Sequence, residues 1–194
     1  MANQDAPFGF RQVGGLGSRP TSEGTSKYTI ASGFADSIFA GDVVEAGAGT
    51  SEGGTAIAAG YVGNAAETSS TRNLGIFNGC FYTDPTTSKP TFKNYWPASV
   101  AAEAQAFVYD NPDDLFEVQA EGTLVQATVA RAVDMAYTTG STINGRSKEE
   151  IDVTAGADLA VRVIRISGDP ANSDIGAPNA NWIVKFNEHI YYNY

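Results

Sequence analysis

One histidine, His189, and one cysteine, Cys80, leave this chain few residues for nucleophilic or metal chemistry. A catalytic triad needs its imidazole beside a Ser or Cys and an orienting carboxylate. His189 instead ends the run Trp182–Ile190, where Trp182, Val184, Phe186 and Ile190 share one face and Lys185, Asn187 and His189 the other. That alternation predicts a half-buried strand with a surface or lightly packed histidine. Cys80, between Gly79 and Phe81 in an apolar run, reads as a buried, inert thiol. One His and one Cys do not make a zinc site. Asp110-Asn111-Pro112-Asp113-Asp114 is rich enough in oxygen for calcium, but lacks the ligand alternation and closing Glu of an EF-hand, so it reads as a solvated turn. Val13-Gly14-Gly15-Leu16-Gly17-Ser18 lacks the lysine and preceding strand of a phosphate loop, and a flexible arm is the better reading. No pair stands out among the 22 acidic residues as a glycosidase couple. The expectation is a protein with no catalytic residues, no metal and no cofactor.

The elements that would position these residues are read from composition. The chain has 194 residues, enough for one domain with a substantial core. At 42% hydrophobic and 18% charged it is too apolar for disorder and too weakly charged for a coiled coil. It holds 11 Ile, 14 Val and 17 Thr against 5 Leu, with 10 Phe, 9 Tyr, 21 Gly and 8 Pro. Such residues suit pleated strands and many turns. The formal charge of −10 repels phosphate backbones, so no nucleic-acid partner is expected. Neither a basic, apolar leader nor an 18-residue apolar run is present, so a soluble protein made in the cytoplasm, with no membrane partner, is expected.

Residues 1–26, glycine-rich and without period, read as an extended N-terminal arm before a β domain at 27–194. The arm carries Phe8, Phe10 and Leu16, so it either folds back on its own domain or packs on a neighbour. Strands are expected at 27–30, 37–46, 55–63, 74–83, 107–110, 115–120, 124–130, 133–137, 159–167 and 182–190. Residues 84–90 form a hairpin connection. The apolar phase slips in Leu159–Ser167, which a β-bulge near Val163–Ile164 explains. One helical turn is expected within 96–104, after Pro97, and a short helix near Lys148 from the capping box Ser147/Glu150. The fold class is mainly β, a single antiparallel β-sandwich, jelly-roll or barrel-like domain.

Four strings carry a resemblance: the opening MANQDAPFGFRQV, LGIFNGCFYTDPTTSKPTFKNYWPAS (74–99), AFVYDNPDDLFEVQA (106–120) and WIVKFNEHIYYN (182–193). In this order they resemble a group of tailed-bacteriophage virion proteins; between about Ser32 and Thr71 the resemblance is slight. It implies a head decoration, or cement, protein on the outside of the capsid of a virion assembled in the host cytoplasm. The implied partner is the major capsid protein, and the implied assembly a homotrimer. Phe8, Phe10, Arg11, Leu16, Tyr95, Trp96, Tyr191 and Tyr192 are the expected interface residues. Tyr194 joins the C-terminal tyrosine patch, for which packing within its own barrel is the alternative. Deleting residues 1–20 is expected to weaken capsid binding and leave the core folded. Other readings are a collar, tail or minor shell protein, or a carbohydrate-binding β-sandwich using Tyr95 and Trp96.

Overall fold

The computed structural model describes residues 2–17, 24–66 and 73–192; Ser18, Pro20–Ser22 and Tyr194, singled out in the sequence, lie outside them. The first eight strands are β1 (Arg11–Gly15), β2 (Ser26–Ile30), β3 (Ile38–Phe39), β4 (Val43–Ala46), β5 (Gly49–Thr50), β6 (Ala56–Ile57), β7 (Val62–Asn64) and β8 (Asn73–Thr83). The rest are β9 (Pro90–Lys93), β10 (Tyr95–Trp96), β11 (Ala104–Tyr109), β12 (Asp114–Gln119), β13 (Ala132–Ala136), β14 (Glu150–Gly156), β15 (Val161–Ile166) and β16 (Asn181–Phe186).

Two six-stranded antiparallel sheets make a sandwich-like, mainly β domain. The first runs β1-β12-β16-β15-β13-β14, and the second β2-β11-β8-β4-β7 with β9 also on β8. The first sheet curls until Ile151 of β14 bridges Ala120, just beyond β12. Glu121 N donates to Ile151 O there at 3.1 Å. Five strands thus close on themselves and β1 lies outside the ring, against β12. Phe116, Val118, Met135, Ile151, Val163, Trp182, Val184 and Phe186 belong to its core, with Val43 and Ile76 from the second sheet and Phe10 from the N-terminal segment. Phe34, Ile38, Val44, Leu74, Phe77, Cys80, Trp96 and Val108 form a second core on the other face of the second sheet.

The long strand β8 joins these parts. It pairs with β11 along one side, and on the other with β4 at Gly75–Ile76 and with β9 at Cys80–Thr83. A glycine is needed twice here. A Cβ at Gly75 would lie 2.0 Å from Tyr109 O, and Gly79, at φ +122, takes a backbone that other residues rarely adopt where β9 replaces β4.

Much of the predicted order is present, including the hairpin from β8 to β9 and a register shift between Val163 and Arg165 against β16. Several expectations are corrected. Residues 124–130 form no strand: a 3-10 turn, Gln126–Thr128, reverses the chain, and Ala130 N donates to Val163 O at 2.8 Å. No helix forms at 96–104, because Ser99 N is drawn to Phe34 O and Gly33 N to Val100 O, with Ala98 and Ser99 at positive φ. The helix near Lys148 is also absent. Ser147 Oγ accepts from Glu149 N, the Glu149 carboxylate accepts from Val43 N, and β14 starts at Glu150. Strand β16 stops at Phe186 and buries Ile183 as well as Trp182 and Val184, so it is not half-buried.

Asp42 and Glu149 are both buried where β4 meets the approach to β14. Asp42 accepts from Phe39 N at 2.7 Å and is also bonded by Ser147; Glu149 accepts from Val43 N at 2.8 Å. Tyr137 faces both charges and that of Asp36; burial first, then Asp42, pushes its hydroxyl up to about 12. Burial outweighs the hydrogen bonds at Asp42 and raises its pKa from 3.8 to about 7. Glu150, raised to about 7 by burial and then by Asp5 and Glu121, acts with the same sign. The native state therefore holds these protons more tightly than the unfolded chain. The cost is absent below pH 3.8, grows as pH rises toward 7, and is complete above it. Lowering the pH from about 8 to about 6 is expected to stabilise the fold by about 1 kcal/mol through Asp42. Asp42→Asn should flatten that slope, as followed by thermal unfolding across pH.

Candidate interaction surface

Side chains alternate along β11, and an extra residue in β8 between Phe77 and Cys80 shifts its phase, so the face that meets the barrel at Ile76 and Tyr109 reappears at Phe81 and Phe107. Phe92 of β9 is the cross-strand partner of Phe81 and joins that face. There the second sheet extends past the barrel. Phe92 is 59% exposed and Phe81 40%, while Phe107 is half-buried with its ring 5.9 Å from that of Phe92. Thr29 and Lys27, partners of Gln105 and Phe107, continue the face across β2. An aromatic centre with a polar margin has the make-up of a protein–protein contact.

The same face leads to a cleft of about 410 Å³ between the N-terminal segment and β8. Phe8, Phe10, Ile76 and Tyr109 line it with the two cations Arg11 and Arg146. Arg11 donates to Glu117 and lies 5.1 Å from the Phe8 ring centroid; Asn78 Nδ2 donates to Tyr109 Oη at 3.1 Å. Arg146 closes the loop that presents Ile143, which is 97% exposed. The loop is braced from within: Gly145 N donates to Ser141 O, and Arg146 N to Asn144 Oδ1.

The structure distributes the expected interface residues unevenly. Phe8 and Arg11 lie at the cleft, but Phe10 is buried in the chain's own core and β1 is paired with β12. The described part of the arm therefore folds back on its own domain, and a deletion through Phe10 opens that core. Leu16 is exposed, its amide donating to Asp113 O. Trp96 is 0% exposed, with Nε1 donating to Phe34 O at 3.0 Å, and Tyr95 stacks on Phe39. The pair is not a sugar platform. Tyr191 and Tyr192 pack at the edge of their own domain: Tyr28 and Tyr191 hydroxyls meet at 2.7 Å, and Tyr192 donates to Asp113.

The chemistry-bearing residues are similarly committed. His189 is fully buried rather than on a polar face, because the chain turns after Phe186 and places Nε2 2.8 Å from Leu74 O. Burial lowers its pKa against the opposing hydrogen bond to Leu74. Cys80 is buried and its thiol is pushed up to about 12 by desolvation. In the acidic turn Asn111 donates to Asp114, Tyr28 to Asp110, and Lys185 pairs with Asp113 at 3.4 Å. Among the described residues no three His, Cys, Asp or Glu side chains converge as metal ligands.

Sequence reasoning missed Phe81, Phe92, Phe107 and Ile143 as contact candidates. The run 74–83 is apolar on both faces, and periodicity alone does not tell which aromatics the barrel covers. No family model, curated protein or solved structure matches the chain. The placement of the N-terminal segment has a measurable consequence. Phe10→Ala is expected to cost about 3–5 kcal/mol in denaturant unfolding. Leu16→Ala, at an exposed site, should stay within about 0.5 kcal/mol.

Proposed function

We propose that the chain is a structural protein of a tailed-bacteriophage head, a decoration protein that binds the outer shell and cements neighbouring capsid subunits. The observation that carries this reading is the aromatic overhang of Phe81, Phe92 and Phe107 on a firmly built sheet. A cementing protein needs a rigid body with an apolar contact face, and this domain offers both. Covering the part of Phe81 and Phe92 that is exposed, about half of each, contributes roughly 1 kcal/mol apiece, so such side chains repeated over several copies give firm attachment. The resemblance of four sequence strings to virion proteins, in order along the chain, supports the same reading. The partner is the major capsid protein, the site the capsid surface and the assembly a homotrimer. The net charge of −10 favours solubility at high local concentration and disfavours contact with the packaged genome.

Phe81→Ala/Phe92→Ala is expected to weaken binding to capsid shells at least about tenfold while leaving the unfolding midpoint nearly unchanged. Full retention of binding removes the overhang from the contact. Quantitative mass spectrometry of purified particles separates head from other virion positions. A copy number near one per shell subunit is expected; a few per cent of that places the protein at the collar or tail, and absence from particles overturns the reading.

A further inference from the structure

Residues 3–6 lie in a cleft of buried carboxamides that bond their backbone. Gln119, Asn172 and Asn181 are all buried. Gln119 Nε2 and Asn172 Nδ2 both donate to Gln4 O, at 2.9 and 2.8 Å. Gln4 N donates to Asn172 Oδ1 and Ala6 N to Gln119 Oε1, each at 3.0 Å. Asn181 Oδ1 accepts from Gln119 and Asn172 and holds the two amides in place. At the outer end Asn3 Nδ2 donates to Pro178 O at 2.9 Å, and Asp174 N donates to Asn3 Oδ1 at 3.1 Å. The side chains of Gln4, Asp5 and Ala6 are exposed. The cleft therefore binds the backbone at Gln4 and Ala6, whose side chains it leaves outside, and the side chain of Asn3 at its outer end.

This segment continues into Phe10, which plugs the barrel core, and β1, which adds an edge to β12. Neither closes the barrel, since the ring is completed by Ala120 and Ile151 without β1. The segment is thus an inserted strip with three points of attachment: the carboxamide cleft, the Phe10 plug and the β12 edge. An empty cleft would take these backbone partners from Gln119 and Asn172, two buried amides, so it calls for an occupant. The contacts that seat the strip are the same whichever copy supplies it. Only chain connectivity favours its own copy, and a high local concentration of neighbours offsets that advantage.

We propose that the cleft and the β12 edge form a strand-exchange site, which receives the N-terminal strip of a second copy of this chain and so links copies within an assembly. The inference stands on the chain's own contacts and does not require the partner to be a capsid.

The test uses the full chain carrying Ala2→Cys or Asp174→Cys, exposed positions whose side chains do not seat the strip, with a short bismaleimide as the linker. Cys80 is buried and its thiol is held protonated, so the parent chain serves as the unlinked control. An equal mixture of the two variants, incubated at rising concentration, is expected to give a covalent dimer joined between positions 2 and 174, increasing with concentration; neither variant alone should give that link. The double variant should yield covalent multimers at high concentration. The proposal is overturned if the double variant links only within one chain and the mixture forms no link between positions 2 and 174. The intrachain link in that result would itself show that the variant folds with its strip in place.

Discussion

The unequal cover on the two halves of β8 shapes most of the molecule. This strand is eleven residues long, and β11 pairs with it from Ile76 to Phe81. On its other side β4 ends near Gly75–Ile76 and β9 takes over at Cys80. Its lower half belongs to two cores, with Ile76 toward the barrel and Phe77 toward the opposite face. Its upper half keeps the second core, through Cys80 and Tyr82, but loses the barrel. Since the pleat sends alternate side chains to the same face, an aromatic on the uncovered side at that height must meet solvent or a partner. Phe81 and its neighbours are the consequence.

The barrel obeys a different constraint. A five-stranded ring is small, and its interior is filled by large residues, including Trp182 and the edge-to-face pair Phe116 and Phe186 with centroids 5.6 Å apart. Elsewhere at the seam the chain accepts polar burial: Asp42 and Glu149 each cap a backbone amide that the strands leave unpaired. Burying such groups is costly, and Asp42, together with Glu150, gives the fold its sensitivity to pH. The N-terminal strip is held by the opposite device, neutral amides that satisfy one another and carry no charge penalty.

Several titratable and nucleophilic side chains are spent on structure: His189 on Leu74, the acidic turn on Tyr28, Lys185 and Tyr192, and Cys80 on packing. Of the residues that remain outward and apolar, Phe81 and Phe92 lie on a braced sheet and Ile143 on a braced loop. Such surfaces meet a partner with little loss of conformational freedom, so more of the buried apolar area contributes to affinity.

The β class, the hairpin at 84–90, the slip at Val163 and the acidic surface were legible from the residues alone, because these follow from local propensity, turn chemistry and alternation within one strand. Sequence reasoning misplaced Trp96 and His189, and it read Ser147 as a helix cap. An aromatic beside a turn looks the same whether a loop covers it or not, and a serine cap looks the same whether its neighbour helps a helix or reaches across to Val43. Which phenylalanines face outward was decided only when the barrel closed at Ala120 and Ile151 and left half of β8 uncovered. Closure joins residues about thirty positions apart, and burial at such distances is a property of the assembled sheets, to which no local window of sequence has access.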